Sequence, residues 1–281
     1  MKWVIRVAFL WILFFCWVSA FAADSRISLF SRGTADAALL INEGKKTLLI
    51  AGGAPPGGGA TSADCFVKVD VLSKKGDSYY EGKLSAVHNS IANLDERYVA
   101  GRHAGVYMFH QSIRVGGVQI GGLCADDIDF SGRYLELGKE DRRYREVFLY
   151  YAGMMHENAI YLIGINDFES AVRDLRPFAD NYSSDWLDSK EGREVLVPLI
   201  GDYGFAAQSL GDDTRAVSVF EKIVKIDPKR VVTWLNLADS YWNLGVLAKA
   251  KDAYGRYISM MNARGLMSQI PPRAYSRTAG D

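Results

Sequence analysis

The chain is short of the features that mark a specialised class. Three cysteines in 281 residues are too few for a miniature scaffold held together by disulfides. Neither charge is in excess, with 33 Lys and Arg against 33 Asp and Glu. No positive surplus exists to neutralise phosphates, so nucleic acid is not an expected partner. No GxSxG, HExxH or paired-carboxylate pattern occurs. The four histidines, His88, His103, His110 and His156, are scattered, and none has a second His at helical or CxxC-like ligand spacing. His103 and His110 read as two positions of one strand, seven apart and facing opposite ways. The glycine-rich stretch from Gly52 to Gly59 lacks the Lys-Ser/Thr that would reach phosphate and Mg²⁺, and reads as a surface loop. No cofactor and no catalytic residue are expected. What remains is 49% hydrophobic, too apolar for disorder, and long enough for one large domain or two ordinary ones.

The one long apolar run lies at the start. Lys2 and Arg6 precede an unbroken apolar stretch from Val7 to Val18, and Ala20-Phe21-Ala22 supplies small residues where a signal peptidase cuts. This is the tripartite pattern of an export signal, with cleavage expected after Ala22 and residence in the periplasm or outside the cell. An uncleaved anchor is the alternative, but the run is short for a full span. No later stretch approaches a spanning length, so no stable membrane anchor is expected after cleavage. Removal of residues 1–22 takes Lys2, Arg6 and Cys16, leaving 31 basic against 33 acidic groups and two cysteines, Cys65 and Cys124. In an oxidising compartment an even pair is most simply a disulfide, and closing a loop of this length stabilises a fold by roughly 4 kcal/mol. Two buried free thiols are the alternative.

The mature sequence divides in two. Residues 23–139 read in twos and short apolar bursts. Ala38–Ile41 and Thr47–Ala51 flank a turn, and Phe66–Val71 alternates before Lys74-Lys75-Gly76-Asp77. Further bursts run Val106–Phe109, Ser112–Val115, Val118–Ile120 and Gly132–Leu137. Short strands punctuated by glycine imply a small antiparallel β domain, a sandwich or sheet. Within it, Asp127, Asp129 and Ser131 before Gly132 resemble the first half of a calcium loop. Gly138 stands where the bidentate Glu belongs, so a solvated acidic turn is the plainer reading.

Residues 140–265 lengthen to the helical period, followed by a tail at 266–281. Landmarks recur there at a spacing of 34: Ile200 and Trp234, Tyr203 and Leu237, Gly204 and Ala238, Gly211 and Gly245, Ala216 and Ala250, Phe220 and Tyr254, with Pro228 closing the first unit. Gly211 and Gly245 are read as left-handed helix ends, and Asp213 as the cap of the helix that follows the first of them. Ala159, Leu162, Asn166, Phe168, Ala171 and Leu175 fall in the same relative places, with Asn for the turn glycine. An insertion or irregular loop is expected from Phe178 to Lys190, and a further helix from Arg142 to Met155.

This pattern resembles the tetratricopeptide repeat family over roughly residues 155–262. The fold class is therefore α+β, an N-terminal β domain followed by a helical solenoid. The resemblance implies that a protein or peptide binds on the concave face, which in the two clear units carries Phe205, Gln208, Leu235, Asp239, Trp242 and Asn243. Pro198, Gly201, Ser209 and Val232 share that face. Relatives that clamp a C-terminal carboxylate do so with Lys, Arg and Asn there, and this sequence has no Lys or Arg at any of those places, so such a clamp is not expected. Phe205 and Trp242 are the natural anchors, unless they pack on the C-terminal segment or the β domain. The reading is a non-enzymatic exported interaction module. The alternatives are a periplasmic immunity or inhibitor protein that neutralises a toxin or hydrolase, its acidic Asp126–Asp129 turn plugging a basic cleft, and an enzymatic or glycan-binding β domain.

Peptide mapping without reductant is expected to recover Cys65 and Cys124 in one linked fragment; free thiols at both would remove the staple.

Overall fold

The structure is a computed structural model that describes residues 26–33, 36–43, 45–52, 65–125 and 128–278, without the side chains of Glu43 and Val71. The export-signal segment 1–22, the glycine-rich segment 53–64 and the acidic residues Asp126 and Asp127 lie outside the described residues.

The N-terminal half is antiparallel β, as its alternation implies, but it is neither a sandwich nor an open sheet. Strands β1 (Arg26–Arg32), β2 (Asp36–Glu43), β3 (Lys45–Gly52), β4 (Cys65–Lys74) and β5 (Tyr79–Ser85) run as a meander. A short ladder of β6 (Val87–His88) and β7 (Asn93–Leu94) and the single turn α1 (Glu96–Val99) follow. Strands β8 (His103–Met108), β9 (Ser112–Gly116) and β10 (Gly132–Glu136) complete the set, and β10 pairs back onto β1 to close a barrel of eight strands. Closure leaves no sheet edge to protect, a requirement that local patterning does not reveal. Val118–Ile120, expected as a strand, forms none, and His110 lies in the turn after β8 rather than on His103's strand.

Side-chain alternation sorts the barrel walls. Phe30, Leu40, Leu48, Ile50, Val69 and Val106 are buried on the inner side, with Tyr134 donating its hydroxyl proton to the Phe130 carbonyl at 3.0 Å. The outer side differs around the circumference. Over β1–β4 it is mostly apolar, with Leu29, Leu39, Leu49 and Phe66 all fully buried. Over β5 and β8 it meets solvent, where Tyr79 and Tyr107 stack with ring centroids 4.9 Å apart. Cys65 is disulfide-bonded to Cys124, with Cα atoms 5.6 Å apart, tying the start of β4 to the loop after β9.

The buried outer face of β1–β4 is covered by the helical half. That half comprises α2 (Arg142–Gly164), α3 (Phe168–Asn181), α4 (Lys190–Ser209), α5 (Asp213–Ile226), α6 (Val231–Asn243), α7 (Leu247–Ala263) and α8 (Pro272–Thr278). The helix expected to stop at Met155 runs unbroken to Gly164, because the two apolar patterns on either side of Met155 share one helical face. The irregular segment is shorter than expected: α3 continues to Asn181 and a 3₁₀ turn occupies Ser184–Asp188. Among the described residues no helix is long and apolar enough to cross a membrane.

The contact between the halves is polar at its centre. Lys68, on β4 and 4% exposed, places its Nζ 2.7 and 2.8 Å from the two carboxylate oxygens of Asp174 on α3. Asn158 of α2 donates to Asp174 at 2.8 Å and accepts the His88 backbone N–H at 2.8 Å. Around this network Tyr151 donates to the Ala37 carbonyl at 2.6 Å, and its ring sits 5.8 Å from that of Phe66. Asp70, 3.6 Å from Lys68 Nζ, also accepts from Thr47. Burial alone would raise the Asp70 carboxyl, but Lys68 and hydrogen bonds from Ser85 and Thr47 hold it below the usual carboxylate range. A lowered native pKa means that the unfolded chain takes up the proton first. The Asp70 contribution is therefore complete above about pH 4 and is lost as pH falls further.

Removing one member of a buried pair leaves an uncompensated charge. Lys68→Ala is expected to lower stability by about 3–5 kcal/mol in denaturant titration, and the paired change Lys68→Met/Asp174→Leu by much less. Equal losses in the two would contradict the assignment.

Candidate functional site

The helices pair as the 34-residue pattern implies, and one turn geometry is used repeatedly. After α4, Gly211 (φ 81°) donates to the Gln208 carbonyl at 2.9 Å, and the next residue, Asp212, donates to that of Ala207 at 2.9 Å. After α6, Gly245 (φ 73°) and Val246 do the same to Trp242 and Tyr241. After α2, Asn166 (φ 61°) and Asp167 do so to Ile163 and Leu162, which places the upstream unit in the series. This is the left-handed helix end that glycine, and less readily asparagine, adopts. The cap of α5 is Asp212, whose side chain accepts the Arg215 N–H at 3.1 Å, not the expected Asp213. Asp167 caps Ser170 likewise at 3.1 Å. Asp213 is instead the first residue of α5 and accepts from Asn243 at 3.2 Å. The left-handed residue turns the chain one position earlier than a cap at Asp213 requires.

The first helices of the three pairs, α2, α4 and α6, form the concave wall. Between them lies a groove of about 360 Å³. Its apolar surface comes from Ile160 and Val232, each 52% exposed, with Ile163 and Phe205 behind them. The Phe205 ring meets Phe168 edge-on at 6.1 Å, which holds it against the wall. Polar groups stand at the rim: Asp202, 2.8 Å from His156 Nε2, and Asn236.

The groove holds a cation that the repeat positions do not announce. Arg230, from the connection between α5 and α6, lies over Gly201, with Nη2 and Nε 3.8 and 4.0 Å from where a Cβ would project. Its Nε is buried and has no acceptor among the described residues. The sequence reading found no Lys or Arg on this face because it counted helix positions only. A long arginine at the connection reaches the same surface. Its signal in the sequence was the absence of a side chain at Gly201.

The other expected groove residues are engaged within the molecule. Gln208 donates to the Asn236 carbonyl at 2.8 Å and to Ser240 Oγ at 2.7 Å, joining α4 to α6. Asp239 accepts from Arg273 at 2.8 Å and Arg277 at 2.9 Å, and bonds the Tyr254 hydroxyl. The Arg277 guanidinium sits 5.0 Å over the Trp242 ring. The C-terminal helix α8 thus closes over the end of the solenoid, and Leu235 is partly buried against the core. The Tyr254 phenol is pushed up to about 12, by burial first and then by its bond to Asp239.

In the β half, Asp129 folds its carboxylate onto the Ser131 N–H at 2.8 Å, and Arg32 donates to both of their carbonyls. Among the described residues no cluster of three or more His, Cys, Asp or Glu is placed to hold a metal ion.

The sequence model of the tetratricopeptide repeat matches residues 199–230 and 231–260, well under half of the chain. No curated protein matches the sequence. Among solved structures, the helical half is similar to PcrH from Pseudomonas aeruginosa, at 14% identity and TM-score 0.36, covering 45% of this chain and 88% of PcrH. It is similar to the type III secretion translocator chaperone SycD of Yersinia enterocolitica, at 15% identity and TM-score 0.37, covering 45% of this chain and 88% of that one. A third similarity is to the first TPR of Spaghetti (RPAP3) bound to an HSP90 peptide, at 13% identity and TM-score 0.37, covering 47% and 95%.

The turn geometry generates a direct check. Gly245→Val is expected to cost about 1–2 kcal/mol in thermal or denaturant unfolding, because a β-branched residue resists positive φ; an unchanged midpoint would displace the repeat register. The recurring turn falls once inside each matched unit, at Gly211 and Gly245, and residues 199–260 are two tetratricopeptide repeats.

Proposed function

We propose that the protein is an exported, non-enzymatic interaction module whose helical half holds an extended segment of a partner protein in the groove between α2, α4 and α6. The observation that carries the reading is the groove itself. Ile160 and Val232 are exposed apolar side chains on its floor, and Arg230 stands beside them without an acceptor for its Nε. A segment with an apolar side chain followed by a carboxylate would bury the first against Phe205 and Val232 and offer the second to Arg230. Charge-assisted hydrogen bonds of this kind contribute about 1.5–3 kcal/mol, enough to select an acidic partner over a neutral one. Export rests on the charge, apolar run and Ala-Phe-Ala ending of residues 1–22. Absence of enzymatic chemistry rests on the sequence, which carries no recognised catalytic motif.

Trp242 and Asp239 belong to the contact with α8 in this reading and serve as controls. Affinity capture from the native periplasm with the wild type is expected to retain a protein partner, and Trp242→Ala to retain it too. Ile160→Glu/Val232→Glu, both at exposed positions, is expected to lose that partner with an unchanged melting temperature. A partner kept by the double variant would move the binding surface off the groove.

A further inference from the structure

A second concave site lies between the halves, away from the groove. It is a cleft of about 650 Å³ between the outer face of β2–β4 and helices α2 and α3. That is within the ~300–1,000 Å³ range of small-molecule sites, which favour domain interfaces. Ile41, Leu49, Met155 and Pro177 give it an apolar floor. Its back wall is the buried network already described. There the two acidic groups, Asp70 and Asp174, are both taken by Lys68, and Asp70 also by Thr47. One lysine against two carboxylates leaves the back wall short by one positive charge, which the rim supplies.

The rim is cationic. Lys45, Arg173 and Arg176 line it, and among the described side chains no acidic one other than Asp70 and Asp174 does. Leaving aside Arg176, which already has an interaction of its own, Lys45, Lys68 and Arg173 face two anions. Lys45 has no acidic partner among the described side chains. The Arg173 side chain is 60% exposed, and its approach to Asp174 is a loose 3.7 Å. An apolar floor and a rim whose cations outweigh the two back-wall carboxylates together describe the complement of an amphiphilic anion.

We propose that this cleft binds a small amphiphilic anion, a carboxylate or phosphate monoester carrying an apolar tail or ring. The apolar part lies on Leu49 and Met155, and the anionic group meets Lys45 and Arg173. Such a ligand touches both halves and so stabilises their contact by mass action. The site shares no residue with the groove, and it stands whether or not the groove holds a partner.

The probes are octanoate, octyl phosphate and the neutral octanol, titrated calorimetrically into the purified chain. Saturable binding of at least one anionic probe is expected, at least about tenfold tighter than octanol. Lys45→Gln/Arg173→Gln should weaken it about tenfold or more, the loss of one charge-assisted contact. The same double variant should keep its melting temperature without ligand, and Ile160→Glu/Val232→Glu should bind like the wild type. No saturable binding of either anion would overturn the proposal, as would equal affinity in the rim variant. Binding to phosphatidylglycerol vesicles with neither free probe bound would overturn it too, in favour of a membrane surface.

Discussion

A buried lysine on a β-strand has to be answered, and much of this molecule follows from the answer. Lys68 sits on a barrel wall that is largely apolar, flanked by Phe66 and Leu49, with Asp70 and Thr47 beside it. Its charge cannot stay there unpaired, because transfer out of water costs several kcal/mol for each ion. Asp174 supplies the counter-charge only when α3 lies against β4, and Asn158 then completes the carboxylate's hydrogen bonds from α2. The pair adds little net stability over an apolar isostere, but it makes one docking arrangement of helices on barrel far better than its neighbours. Apolar burial around Leu39, Phe66 and Tyr151 provides the bulk of the attraction.

That docking places α2, and α2 places the groove. The two clear repeats offer only two first helices, and stacked helical pairs need about three units to bury a continuous core. The degenerate pair α2/α3 is the third unit, and its other face is the barrel contact. One long helix therefore lends Tyr151 to the barrel, Asn158 to the Lys68–Asp174 network and Ile160 and Ile163 to the groove. At the far end α8 covers the last repeat through Asp239, so the solenoid is bounded by the barrel on one side and by its own C-terminus on the other.

What was legible in the sequence was what local physics decides. The 34-residue spacing located the helical pairs, and Gly211, Gly245 and Asn166 marked their turns, because positive φ is a single-residue demand. The pairing of Cys65 with Cys124 followed from a count of two. What stayed hidden depends on distant partners. Closure of the barrel requires β10 to find β1, about a hundred residues away, and nothing in either strand encodes that. Lys68 and Asp70 on one side of β4 have the look of a half-solvated strand, yet the Lys68 side chain is buried under α3. Arg230 escaped notice because its backbone lies in a connection while its guanidinium lies in the groove. Gln208, Asp239 and Asn243 were visible as groove positions, but their hydrogen bonds to Ser240, α8 and Asp213 depend on how the helices meet.

The central claim is that barrel and solenoid form one cooperative unit joined through Lys68 and Asp174, rather than two domains on a tether. Differential scanning calorimetry of the intact chain tests this most directly. The account predicts a single transition whose calorimetric and van't Hoff enthalpies agree. Two resolved transitions, with the β half and the helical half melting independently, would contradict it.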